Sequence, residues 1–370
     1  MDVTKTLARR KPIIAITGSA GKTTTKEMIA SILSRRCRIV KTRGSFNFVK
    51  HTRSYAKQLT KAHGAAVLEY AMTRSGHIRR HCQILRPNYG VVTNVGTAHI
   101  GNFGGRITGI ARAKSELIRH MRQSGKLFLN ADDPNSRLLT TKYFRGRIFT
   151  VGIIKPADYR ASNIRYLQNG ISFQTTLKGH KHTFFIPELG KHNIYNALFA
   201  IAVCHQLKFS PELIRAGLKS YRKPKSRLSV YRLRGGVRLL DDTYSANPQA
   251  MKAAIDVLSR LGNGTKIAVL GSMLEMGKHT VSAHGQVGNY LARKKIQYLY
   301  TYGKLGRLIG SAAVKSGFPL GRVRHVPTKT LMIRKLRPHL RSGATILVKG
   351  SNKLQMYEII RGLKRVRRKR

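Results

Sequence analysis

Short, continuous runs of apolar residues alternate with helix-like stretches along most of the chain: IIAIT (13–17), AAVLE (65–69), GVVTN (90–94), KLFLN (126–130), VRLLD (237–241), KIAVL (266–270), YLYTY (298–302) and TILVK (345–349). Strands buried on both faces need apolar side chains at every position, so these runs predict parallel α/β architecture. Between Tyr159 and Pro187 the pattern changes to short alternating stretches, IRYL and ISFQTTL, on either side of Asn169-Gly170. That dipeptide is a hairpin turn signal, and a small antiparallel β insert is expected there. Around Tyr221 to Arg232 a proline and five basic residues separate two α/β series, which places a domain boundary near 225. The chain then divides into 1–225, 226–363 and a frayed basic tail, 364–370 (KRVRRKR), that has no apolar face. No internal repeat of fixed period is present.

Composition changes this picture in one respect. The 370 residues carry 71 Lys and Arg against 14 Asp and Glu, a net charge of +57, while 41% of the residues are hydrophobic. That content supports a sizeable core in two or three domains and excludes whole-chain disorder. No apolar run reaches the roughly 18–20 residues of a membrane helix, and MDVTKTLARRK at the start lacks the apolar stretch of a secretory signal, so a cytoplasmic location is expected. Cys37, Cys82 and Cys204 are far apart and form no CxxC pair, which argues against a disulfide framework or a zinc site.

The candidate chemistry begins after the first run. Gly18-Ser19-Ala20-Gly21-Lys22-Thr23-Thr24 lies between a strand and an amphipathic stretch through Met28, Ile29, Ile32 and Leu33. Glycines let backbone N–H groups turn toward phosphate oxygens, the helix start adds its dipole, a lysine reaches the terminal phosphates, and a threonine hydroxyl can hold Mg²⁺. The general P-loop pattern has a further glycine where this chain has Ile16. Glu69 and His99 both follow strands, at the sheet edge where ligands bind, and suit a second Mg²⁺; a solvated glutamate and a packed histidine are the alternative. Lys114, on a helix after Ile107, has the default reading of a solvated lysine. Asn193 and Asn196 share one face of a helix opened by Gly190-Lys191-His192; they suit either a nucleobase edge or helix capping. Asp241-Asp242 next to a strand end form a ribose or metal site, with Asn247-Pro248 readable as an Asx turn and N-cap. Of the 14 acids, Glu69, Glu116, Asp132, Asp133, Asp241, Asp242, Glu275 and Glu358 lie at strand ends or in compact motifs.

Taken in order, these segments closely resemble the Mur ligase family, in its MurF-like branch. The stretches that carry the resemblance are TGSAGKTTTKEM (17–28), VLEYAMTRSGHI (67–78), TNVGTAHIGNFGG (93–105), IARAKSEL (110–117), LNADDP (129–134), GKHNIYNALFAIA (190–202), DDTYSANPQAMKAAIDVL (241–258), VLGSMLEMG (269–277) and VKGSNKLQM (348–356). The resemblance implies a P-loop central domain (1–225) that binds ATP and a Rossmann-like C-terminal ligase domain (226–363). It also implies a reaction in which ATP phosphorylates a carboxylate and an amine displaces phosphate to form an amide. By the same resemblance, Lys22 and Thr23 bind phosphates and Mg²⁺, and Glu69 and His99 help to hold the second Mg²⁺. Lys114 stands where relatives carry a carbamylated lysine, and His192, Asn193 and Asn196 lie beside adenine. Arg227 reaches the γ-phosphate, Asp242 lies near the ribose, and Glu275, His284, Lys349 and Ser351 lie near the incoming amine.

Three departures bear on substrate. Only 17 residues precede Gly18, so the uridine-binding domain of the family is expected to be absent. The Asn-rich segment keeps Asn47 without its neighbouring asparagines, and Gly350-Ser351-Asn352 lacks the family's arginine. Excess cations attract and steer an acidic polymer. The expectation is therefore an ATP-dependent amide ligase acting on an acidic peptide or polymer carboxylate. The alternatives are MurF activity in peptidoglycan precursor synthesis, or a polyanion or nucleic-acid binding P-loop protein, for which no motif speaks.

Overall fold

The computed structural model describes residues 11–261, 264–341 and 343–366. They fall into two compact units: the first contains residues up to Gly96 and Asn102–Pro224, the second Thr97–Gly101 and the chain from Lys225 onward. The short segment 97–101, which the division at 225 leaves in the first domain, thus belongs with the C-terminal unit.

The first unit is built on a seven-stranded sheet, ordered β2-β3-β1-β4-β5-β6-β7, in which every pairing is parallel. Its strands are β1 (Ile13–Thr17), β2 (Arg38–Lys41), β3 (His63–Glu69), β4 (Tyr89–Val92), β5 (Lys126–Asn130), β6 (Arg147–Gly152) and β7 (Tyr159–Arg160). The expected antiparallel insert is present as β8 (Ser162–Leu167), β9 (Gly170–Leu177) and β10 (His180–Ile186), but its first turn is Gln168-Asn169, one residue earlier than the Asn169-Gly170 signal, because Gly170 already pairs with Leu167. Helix α1 (Lys22–Leu33) follows β1; then come α2 (Val49–Gln58), α3 (His77–Ile84), α4 (Ile107–His120), α5 (His192–Gln206) and α6 (Pro211–Lys219). Helix α5 is apolar on nearly all sides, from Ile194 to Cys204, because it is buried in the core with Met28, Ile29, Phe173 and Phe184.

The second unit has a six-stranded sheet, ordered β11-β12-β16-β13-β14-β15. Its strands are β11 (Ser229–Arg232), β12 (Arg238–Asp241), β13 (Lys266–Gly271), β14 (Tyr298–Tyr302), β15 (Val323–His325) and β16 (Thr345–Lys349), parallel apart from the edge strand β11. The helices are α7 (Pro248–Arg260), α8 (Thr280–Ala292), α9 (Gly306–Lys315), α10 (Lys329–Leu336) and α11 (Tyr357–Val366). Asn247 caps α7 by accepting from Ala250 N–H at 2.9 Å, with Pro248 at the first helical position, which settles the Asx reading of this pair.

Two further expectations need correction. The GVVTN run leaves the sheet at Val92, because Thr93, Asn94 and Gly96 turn polar groups onto the loop after β1. The tail expected from Lys364 is helical through Val366 as the end of α11, and Lys364 places its ammonium 4.0 Å from the centroid of the Tyr231 ring. A cation over an aromatic face supplies the packing that the missing apolar face does not. The rest of the expected tail, 367–370, lies outside the described residues.

Candidate active site

The loop between β1 and α1 explains its own glycines. Gly18 has φ 147° and Gly21 φ 82°, both in the region that side chains disfavour. A Cβ on Gly18 would lie 1.8 Å from Thr93 Oγ1, and one on Gly21 2.4 Å from Asn196 Oδ1. Ile16, where the general pattern has glycine, is a fully buried residue of β1, so the turn starts only at Gly18.

Asn94 holds this loop open. Its side-chain oxygen accepts from both Ser19 N–H and Ala20 N–H at 3.0 Å, and Thr93 Oγ1 donates to Ala20 O at 2.6 Å. Ser19 Oγ donates to Gly96 O at 2.8 Å and accepts from Gly96 N–H at 2.9 Å. Asp133 steadies the same segment, accepting from Val95 N–H at 2.7 Å, while Asn135 donates to Val95 O at 2.8 Å. Lys22 folds its ammonium onto Gly18 O at 2.7 Å. Thr23 and Thr24 lie in the first turn of α1, and both are buried.

Glu69 is set by register: Tyr70 N–H, next to it, donates to Ile16 O at 2.9 Å, so its carboxylate sits beside the end of β1. One of its oxygens accepts from Asn47 Nδ2 at 3.1 Å; the other, Oε1, is buried and has no hydrogen-bond partner among the described residues. Lys26, fully buried on α1, has its ammonium 3.8 Å from that oxygen, 2.6 Å from Glu27 Oε1 and 2.6 Å from Thr42 O. An unpartnered hard oxygen of this kind suits a magnesium ion, although among the described residues no group of three His, Cys, Asp or Glu side chains converges to hold a metal unaided.

Lys114 is buried on α4, against the default reading of a solvated lysine. Burial, and then the nearby Lys22 ammonium, push its pKa well below the usual lysine value, with Asp133 opposing. Asn193 and Asn196 are also interior. Asn193 Nδ2 donates to Leu189 O at 2.8 Å, Asn196 Nδ2 donates to Asn193 Oδ1 at 2.8 Å, and Asn196 Oδ1 accepts from Thr25 Oγ1 at 3.2 Å. Asn193 is not the N-cap, which is Lys191; the pair braces the phosphate loop through Thr25 and Gly21. His192 opens the helix beside them.

In the second unit, His99 has φ 61°, and its Nδ1 lies 2.5 Å from Glu275 Oε2, while Gly101 N–H donates to Glu275 O at 3.0 Å. The structure therefore joins His99 to a residue the sequence reading placed near the amine. Three other residues of that set bond within the unit. His284 is fully buried, accepting on Nε2 from Met273 N–H at 2.9 Å and donating from Nδ1 to Thr280 O at 2.6 Å; burial lowers its pKa. Ser351 Oγ accepts from Leu274 N–H at 2.9 Å. Lys349, buried, donates to Asp242 Oδ2 at 2.6 Å and to Ser245 O at 2.8 Å. Arg227 lies over the ring of Tyr244, its Cζ 4.0 Å from the centroid.

Sequence reasoning missed Lys26, Asn94 and Asp133 as parts of the site. Lys26 leads the stripe Ile29, Ala30, Leu33 and so occupies the buried face of α1, a signal that was readable; Asn94 and Asp133 are loop residues whose partners periodicity does not reveal.

By architecture this is a two-unit α/β protein with a glycine-rich strand–loop–helix turn at the end of a parallel sheet. Its sequence matches the Mur ligase middle domain over residues 16–204 and the Mur ligase glutamate ligase domain over 226–352. The chain belongs to the Mur ligase family, whose members are ATP-dependent ligases that form ADP and phosphate. It is 35% identical over 352 residues to the UDP-N-acetylmuramoyl-tripeptide--D-alanyl-D-alanine ligase of Bacillus subtilis, covering 95% of this chain and 75% of that one. Against the Escherichia coli enzyme of the same name it is 31% identical over 358 residues, covering 95% of this chain and 76% of the other. A crystal structure of MurF from Acinetobacter baumannii superposes with a TM-score of 0.86 at 30% identity, covering 98% of this chain and 79% of that one. Among the described residues no helix is long and apolar enough to cross a membrane.

Proposed function

We propose that this chain uses ATP to phosphorylate the carboxylate of a UDP-N-acetylmuramoyl tripeptide and joins the resulting acyl phosphate to the amine of D-alanyl-D-alanine, releasing ADP and phosphate in the cytoplasm. The observation that carries the reading is the convergence in the first unit of the Gly18–Thr24 loop, the pKa-depressed Lys114 near Lys22, and the buried, half-partnered Glu69. The substrate names come from the relatives above.

In this reading the loop amides and Lys22 take the nucleotide phosphates, with Lys22 leaving Gly18 O to do so. Asn94 and Asn196 keep the loop in shape, and His192 lies at the adenine side. Thr23 and Glu69 would hold magnesium, which would supply charge neutralisation on the phosphates when bound. Asn47 orients the Glu69 carboxylate. Lys114, whose pKa burial pushes well below the usual lysine value, would add carbon dioxide through its deprotonated amine and release one proton to become an anionic carbamate. Arg227 offsets charge on the transferring phosphoryl group, and Asp242 lies on the ribose side. Glu275 orients His99. No protein nucleophile is needed: the substrate carboxylate attacks phosphorus, and the amine then attacks the acyl carbon.

The charge of +57 favours a second reading, in which the carboxylate belongs to an acidic peptide or polymer. ADP release, with mass detection of the amide product, is measured for the muramoyl tripeptide with D-alanyl-D-alanine and for a panel of acidic peptides. Turnover on the muramoyl pair alone supports the first reading, and turnover on acidic peptides alone supports the second. ATP-independent binding of polyanions with no amide from any pair would refute both.

A further inference from the structure

Arg227 sits between two residues with left-handed backbone, Ser226 and Leu228, each with φ 56°. Neither is glycine, and Leu228 is a large buried side chain. Such conformations persist where the surroundings fix them, and they gather where a side chain must be held in one place.

The fixing contacts come from one loop. Ser226 Oγ donates to Asp241 Oδ2 at 2.9 Å, and Tyr244 N–H donates to Ser226 O at 3.1 Å. Leu228 N–H donates to Asp242 Oδ1 at 3.1 Å. Asp241 is anchored in turn, accepting on Oδ1 from Thr243 N–H at 3.2 Å and from Thr243 Oγ1 at 2.7 Å. The other oxygen of Asp242 takes the Lys349 ammonium, which also reaches Ser245 O and so spans both ends of the loop. Tyr244, between those ends, offers its ring to the Arg227 guanidinium.

We propose that Lys349, Asp242 and Tyr244 are positioning residues for Arg227. Lys349 fixes the Asp242 carboxylate, the two aspartates fix the left-handed pair around Arg227, and the Tyr244 ring fixes the plane of the guanidinium. The charges suit this arrangement: one fully buried cation lies against one of two adjacent carboxylates, and two of the four carboxylate oxygens face the Arg227 segment. The proposal gives Lys349 a place different from the amine side, and gives Asp242 a task besides any contact with ribose. It rests on the reading of Arg227 as the residue that meets the transferring phosphoryl group.

A double-mutant cycle on kcat for ADP release, with the muramoyl tripeptide and D-alanyl-D-alanine, tests it. Arg227→Ala is expected to lower kcat strongly. Tyr244→Leu is expected to lower kcat about 10-fold with KM for ATP changed less than about 3-fold, and Tyr244→Phe to recover most of that loss. In the Arg227→Ala background, Tyr244→Leu is expected to change kcat less than about 2-fold, because its effect runs through the arginine. Lys349→Met should behave like Tyr244→Leu, with Lys349→Arg in part restoring kcat. Tyr244 is only half-buried, so its variants keep the test sound if Lys349→Met fails to fold. If Arg227→Ala is damaging and Tyr244→Leu costs the same factor with or without the arginine, the positioning role is overturned while the phosphoryl reading stands. If Arg227→Ala leaves kcat unchanged, that reading falls and the proposal falls with it.

Discussion

Lys26 is the residue whose removal should be felt most directly by Glu69. Replacing it with methionine keeps the stem volume but deletes a fully buried ammonium 3.8 Å from Glu69 Oε1, an oxygen with no hydrogen-bond partner among the described residues. Two unit charges at that distance interact by about 4 kcal/mol at an effective dielectric near 20. Glu27 loses a contact too, but it keeps Lys41 and is partly exposed, so its share is small. Removing one member of a buried pair costs about 3–5 kcal/mol, because the other charge is left without compensation. We expect Lys26→Met to cost about 3 kcal/mol, which for a unit of this size lowers Tm by roughly 6–12 °C. Calorimetry of the full chain reads this. The double variant Lys26→Met with Glu69→Gln removes both charges and should recover at least half of the lost stability. A loss under about 1 kcal/mol, or a double variant no more stable than the single one, would refute the assignment of Lys26 as the counter-charge of Glu69.

Other outcomes are equally open to measurement. Burial holds His81 at a pKa of about 4, with Thr52 on Nδ1 and Ala71 O on Nε2. The unfolded chain therefore binds the extra proton first, and stability should fall by about 3 kcal/mol as pH drops from about 6.5 to 4, a loss that His81→Leu does not show in acid titrations of unfolding. For Lys114 the sign is the same: with its folded pKa depressed, the unfolded state holds more protons between that value and about 10.4, so the charged lysine destabilises the fold at lower pH and stability rises toward alkaline pH. In buffer free of carbon dioxide, Lys114→Met should thus be more stable than the parent at pH 7, with the gain fading as pH nears about 10.4. With ¹³C-labelled carbon dioxide the parent should give a carbamate signal that Lys114→Met lacks. Gly18→Ala, whose Cβ would lie 1.8 Å from Thr93 Oγ1, should weaken ATP binding at least about 10-fold by calorimetric titration while leaving the second unit folded.

Much of the fold was legible because strands buried on both faces leave a continuous apolar signature. IIAIT, KLFLN, YLYTY and TILVK coincide with β1, β5, β14 and β16. Short edge strands such as β2, β7 and β15 lack that signature and were not read from it. The site was legible as a set of chemical types at the ends of strands, but not as contacts. Asn193 and Asn196 were visible as a pair on one helical face, yet what the pair touches, Leu189 O and Thr25, depends on how α5 meets α1. The left-handed pair around Arg227 was invisible for the same reason, since nothing in the string Lys-Ser-Arg-Leu announces positive φ.

Several of the few acids this chain retains are occupied with backbone. Asp132 alone accepts from Ile153, Ile154 and Lys155 N–H and from the Tyr195 hydroxyl, and Glu116 accepts from Gly76 and Arg79 N–H at the start of α3. Fourteen acids cannot offset 71 Lys and Arg, so salt is the main variable that sets how strongly the protein attracts anions. In practice its solubility and its encounter rates with charged substrates should track ionic strength closely, and assays at low salt will report a different protein, kinetically, from assays at high salt.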